Sequence, residues 1–244
     1  MSKKQKKSPK PTAPEVTASR PASSRKKTAV AKLTIAAMLT AVAVVLQYLE
    51  FPIPLVPSFL KLDFSDLPEL IGAFVLGPIY GVIICLIKNI IHLPFGSSIG
   101  VGEFSNFLLG AVFVFVAGVI YQFHTTKKGA LIACLVGALS MAAASIVSNY
   151  YVVYPIYAEL WAKGDMDIII NMYKAILPAS DNLIKSLLIF NVPFTFGKGL
   201  IVSVMTMLIY KPLSRLFERL NRRLAKSSAD ASPVSQKPFQ KKDN

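Results

Sequence analysis

Along the chain, long apolar runs alternate with short polar interruptions, and six of the runs have helical length: Ala29 to Glu50, Asp66 to Leu76, Ile79 to Leu93, Gly102 to Phe123, Gly129 to Tyr154 and Asn182 to Tyr210. Crossing the hydrocarbon core of a bilayer takes about 20 apolar residues. The first, fourth, fifth and sixth runs reach that length, whereas the second and third are short. These two meet at Gly77-Pro78, where proline cannot continue the preceding helix and glycine permits a sharp turn. A tight hairpin packed among longer helices is therefore expected, because lipid does not tolerate exposed irregular backbone. The pattern predicts an all-α integral membrane protein with six transmembrane helices and no internal repeat of the inverted-transporter kind.

Outside these runs the chain changes character. Residues 1–28, rich in Lys, Pro and Ser, cannot bury enough apolar surface to fold and are expected to be a disordered basic tail. The first apolar run starts far from Met1 and is long enough to span, which predicts an uncleaved helix and not a secretory signal. Residues 29–213 form the expected helical domain. Residues 214–244 read as a basic amphipathic extension that ends polar.

Composition agrees with the pattern: 53% of the 244 residues are hydrophobic and 16% charged, too apolar for an ordinary soluble domain. The net charge of +14 is concentrated in the tails and in one loop at His124 to Lys128, so it reads as a topology signal and not as a nucleic-acid surface. With both termini cytoplasmic, the basic pieces fall inside. Asp63, Asp66, Glu159, Asp165, Asp167 and Asp181 then fall outside, as the positive-inside rule requires. Cys85 and Cys134 lie within apolar runs and read as packing residues.

Polar residues inside the apolar runs are the candidate chemistry. Within the last run, the apolar stretch Asn191 to Tyr210 carries Lys198 about a third of the way in, where a charge is costly unless it pairs, snorkels or faces a wet cavity. Asn191, Thr195 and Lys198 are spaced i, i+4, i+7 and share one helix face. In the fifth run Ser145, Ser148 and Asn149 make a second stripe, and in the fourth Glu103, Asn106 and Gly110 make a third. All three stripes fall in the outward half, edged by Phe104, Phe107, Tyr150, Tyr151 and Tyr154. They predict a pocket for a ligand with a flat apolar body and hydrogen-bonding edges. Lys88 and His92, at i, i+4, read instead as a structural pair or a snorkelling cation.

Motifs for catalysis or energy coupling are missing from the sequence. Phe196 to Gly199, FGKG, imitates the end of a phosphate-binding loop, but the glycine such a loop needs falls at Val192, and Gly199 stands where Ser or Thr is required. His92 and His124 are too far apart to suggest a metal site. No nucleophile and base come together. The expectation is a binding protein without its own engine, neither an enzyme nor the holder of a cofactor.

The runs LKLDFSDLPELIGAFVLGPIYGVIICLIKNIIHL, VGEFSNFLLG, NYYVVYPIY and NVPFTFGKGLIVS together resemble the riboflavin-binding S components of energy-coupling factor (ECF) transporters, over about Ala29 to Leu213. The resemblance implies six transmembrane helices and an outward-facing cavity that takes riboflavin, with FMN open as a second ligand. It implies that Asn149 pairs with the pyrimidine edge of the flavin ring and that Lys198 donates to a ring carbonyl. Thr195 stands where relatives often carry asparagine, and Glu103 and Asn106 would serve the ribityl hydroxyls. The implied partners are a transmembrane T subunit and two cytoplasmic ATPases in a prokaryotic cell membrane. Ala37 and Ala41, a small-xxx-small pair on the first helix, are the implied T-subunit face. A stand-alone carrier driven by an ion gradient is the rival from another class.

Overall fold

The fold, taken from a computed structural model, is described for residues 22–209 except 97 and 162. The tail before residue 22 and the extension after residue 209 lie outside the described residues. Helix α1 (Ala22–Tyr48) begins within the segment expected to be tail, directly after Pro21, because ASSRKKTAVAK contains no residue that stops a helix. A two-stranded antiparallel hairpin follows, β1 (Phe51–Pro52) pairing with β2 (Lys61–Leu62).

The expected hairpin of short helices is present. α2 (Asp66–Leu76) ends at Gly77, whose φ of 114° suits glycine, and α3 (Pro78–His92) starts on proline, the residue best tolerated in a first helical turn. The two pack closely: a Cβ on Gly81 would lie 2.7 Å from the Ala73 Cβ. α4 (Val101–Phe123) and α5 (Lys127–Ser148) pack against each other, with the Thr126 hydroxyl capping α5 through the Gly129 N–H.

Beyond Ser148 the helix does not stop near Tyr154 as expected. It passes through a π-helical turn (Asn149–Val153) into α6 (Tyr154–Trp161). Helix α7 (Met166–Lys174) was not anticipated. Its signals are local: Asp165 caps it through the Asp167 N–H, and Ile169 and Tyr173, four residues apart, are both buried. α8 (Leu183–Ser186) leads through a second π turn (Leu187–Asn191) into α9, residues 192–209.

Among the described residues, five helical segments are long and apolar enough to cross a membrane: Ala29–Tyr48, Pro78–Phe95, Val101–Phe123, Lys127–Trp161 and Leu183–Ile209. With 11 residues, α2 is too short to be a sixth by that measure. A buried apolar cluster joins α2, α4, α5 and α9 through Leu70, Ala73, Phe113, Val114, Ala117, Ala138 and Val202. Gly199 belongs to this packing, since a Cβ there would sit 2.8 Å from the Ala138 Cβ. The glycine that disqualifies the phosphate-loop reading is the one that brings α9 against α5.

Candidate functional site

A cavity of about 150 Å³ lies among the end of α1, the β-hairpin connection, the N-terminal half of α4, the first π turn and α9. Asn106, Asn149, Thr195, Lys198 and Glu103 all line it, so each stripe contributes to one cavity, the second through Asn149 alone and the third without Gly110. Asn191, three residues before Phe194 and one helical turn from Thr195, lines it as well.

Lys198 is 6% exposed and does not snorkel. Its Nζ donates to Asp63 Oδ2 at 2.8 Å and to Asn106 Oδ1 at 3.4 Å, and it is 3.1 Å from Asp66 Oδ2. Asp63 lies on the connection between β2 and α2, and Asp66 opens α2. Behind them sits Lys88, completely buried, 2.6 Å from Glu69 and 3.3 Å from Asp66, and also donating to the Ser65 hydroxyl. Burial by itself would raise the Asp63 carboxyl, but the Lys198 ammonium and then Lys88 outweigh it and hold the group well below the usual carboxylate range. Three carboxylates and two ammonium groups thus form one buried lattice under the cavity.

Of the asparagines that line this cavity, Asn191 and Asn149 have different commitments. The Asn191 carboxamide accepts from the Tyr173 hydroxyl at 2.6 Å and donates to the Tyr154 hydroxyl at 2.6 Å, and the two tyrosine hydroxyls bond each other. That ring of bonds ties α7 and α6 to the start of α9. Asn149, 3% exposed, forms no side-chain hydrogen bond among the described residues, and neither does Thr195. Its carboxamide is free to give a donor and an acceptor to whatever fills the cavity. The widened turn that begins at Asn149 is of the kind often found where a helix serves a site.

Glu103 is fixed by His92 Nδ1 at 3.1 Å and by the Ser98 hydroxyl at 3.2 Å. The flat walls come from Phe59, Tyr154, Tyr157 and Phe194. Phe59, on the hairpin connection, packs edge-on to Tyr154 with ring centres 5.9 Å apart and lies 5.6 Å from Tyr157.

The family model for the substrate-specific component of ECF transporters matches residues 31–210. The chain belongs to this family. It is therefore a transporter's substrate-binding component and not an enzyme. Among its relatives are the riboflavin transporter RibU of Staphylococcus aureus, 33% identical over 189 residues (78% of this chain, 93% of the relative), and the riboflavin transporter FmnP of Bacillus subtilis, 30% identical over 194 residues (78% and 95%). A solved structure described as the S component of a bacterial ECF transporter superposes with a TM-score of 0.61 at 32% identity, covering 76% of this chain and 96% of that one.

In this S component several expectations about placement change. Tyr150 and Tyr151 point away from the cavity, Tyr151 being 72% exposed, because the π turn rotates the residues after Asn149 relative to a regular helix. Phe104 is exposed, and neither it nor Phe107 lines the cavity. Ser145 bonds the Ala142 carbonyl, and Ser148 also lies off the lining. Asp63 and Asp66, counted as external charges, are buried partners of Lys198. Lys88 and His92 are not each other's partners: Lys88 belongs to the lattice and His92 to Glu103.

Proposed function

We propose that this S component captures riboflavin from outside the cell and passes it inward, with ATP hydrolysed by partner subunits. The observation that carries this reading is the cavity itself, where an uncommitted buried carboxamide at Asn149 faces aromatic walls from Phe59, Tyr154, Tyr157 and Phe194. A flat heteroaromatic ring with one amide-like edge matches both features. Asn149 pairs with the pyrimidine edge, Lys198 donates to a ring carbonyl, and Thr195 supplies a hydroxyl nearby. Asn106 and Glu103 serve the ribityl chain. The curated relatives, named as riboflavin transporters, support the choice of ligand.

The chain crosses the membrane six times, the α2–α3 hairpin included, with both termini cytoplasmic. Its partners are a T subunit and two ATPases in the cell membrane. Ala37 and Ala41 are exposed on α1, whereas Ala36, Thr40 and Ala43 face inward. Neither Ala37 nor Ala41 lines the cavity. Small residues on such a face let a partner helix approach closely. Reconstitution in liposomes tests this reading. The protein alone should bind riboflavin without transporting it, and adding the T subunit, the ATPases and ATP should start uptake. Uptake by the protein alone under an ion gradient would establish a stand-alone carrier instead.

A further inference from the structure

Lys198 has three N–H groups and three oxygen neighbours, but the three are not equal. Asp63 Oδ2 accepts at 2.8 Å, inside the ordinary range; Asp66 Oδ2, 3.1 Å away, is an ion-pair contact without hydrogen-bond geometry; and Asn106 Oδ1 accepts at 3.4 Å, beyond the ordinary range. Both aspartates are themselves held from behind. Asp63 Oδ1 accepts from the Ser65 N–H at 2.8 Å and from the Ser65 hydroxyl, and Asp66 Oδ1 lies 3.3 Å from Lys88. The short bond to Asp63 and the ion pair with Asp66 therefore have a fixed direction, and only the long bond to Asn106 is easily exchanged.

We propose that Asp63, with Asp66, is a positioning residue for ligand recognition: Asp63 takes one N–H of Lys198, Asp66 holds the ammonium by charge, and together they aim the N–H now resting on Asn106 at an acceptor of the ligand. A lysine is a compact charge on a flexible four-carbon stem and has no preferred direction of its own. Here the direction comes from the connection between β2 and α2 and from the first turn of α2, neither of which supplied a candidate ligand contact on the polar stripes. The assignment rests on the riboflavin reading, in which Lys198 donates to the ligand.

The test is a riboflavin titration of the purified full-length protein, followed by fluorescence quenching and by the absorption shift of the bound flavin. Asp63→Asn should weaken binding roughly 10- to 100-fold and reduce the absorption shift as Lys198→Met does. Asp63→Glu, which keeps the charge, should recover most of the affinity. Because Asp63 acts through Lys198, the double variant Asp63→Asn/Lys198→Met should bind within about two-fold of Lys198→Met alone. That comparison also decides the matter if Asp63→Asn fails to fold, since removing both partners of a buried pair is far better tolerated than removing one. Wild-type affinity in Asp63→Asn, or a double variant as weak as the product of the two single losses, would overturn the assignment. Failure of the unsubstituted protein to bind riboflavin would overturn the functional reading itself, and the assignment with it.

Discussion

Asn149 and Asn191 line one cavity, yet their substitution should have opposite signatures. Asn149→Ala removes a carboxamide that no described residue uses. Its loss deprives the ligand of a donor and an acceptor, two hydrogen bonds worth about 0.5 to 1.5 kcal/mol each, so riboflavin affinity should fall roughly 5- to 150-fold. Folding stability should hold, because no internal bond is broken. Asn191→Ala leaves the buried Tyr173 hydroxyl without its acceptor and the Tyr154 hydroxyl without its donor, both now at 2.6 Å. Each stranded group costs about 1 to 3 kcal/mol, and the loss should appear as a lower melting temperature of the ligand-free protein. The assay pairs fluorescence-quenching titration with thermal unfolding in detergent. The reasoning is refuted if Asn149→Ala destabilises the ligand-free protein while keeping its affinity, or if Asn191→Ala leaves the melting temperature unchanged.

Tryptophan at both Ala37 and Ala41 should leave riboflavin affinity intact but abolish uptake and co-purification with the T subunit and ATPases; normal uptake would remove this face from the mechanism. Lys88→Met should cost roughly 3 to 5 kcal/mol of stability, because it leaves buried carboxylates uncompensated. Glu69→Gln should be far milder, since the lattice holds three acids against two bases; a comparison of melting temperatures checks the order. Asp63 is held below its unfolded value of about 3.9, so its contribution is fully present above that value and is lost as pH falls through the folded-state one. The difference in melting temperature between wild type and Asp63→Asn should therefore stay constant from about pH 5 to 8 and shrink in stronger acid.

The long helices were legible because lipid forces apolar runs of a fixed length, and the α2–α3 turn because Gly77-Pro78 punctuates it. The stripe Asn191, Thr195, Lys198 also held, as all three line the cavity. What the pattern could not carry was tertiary pairing. Asp63 and Asp66 look like loop charges in sequence, and only the fold brings them to a lysine more than 130 residues away. Phe59 sits on a connection with no periodicity to show which way it faces. The π turn at Asn149 defeats any reading that assumes 3.6 residues per turn, which is why the sequence pattern puts Tyr150 and Tyr151 on the cavity wall and misses Tyr157. α7 did carry a signal, an aspartate cap followed by buried residues four apart, in a stretch otherwise read for its charge.

The account rests most on the identity of the ligand. The direct measurement is titration of purified, flavin-free protein with riboflavin, followed by quenching of flavin fluorescence, with thiamine, biotin and folate as competitors. Saturable binding of one riboflavin per chain, undisturbed by the other vitamins, is the predicted result. Saturable binding of another vitamin, with none of riboflavin, would contradict the account.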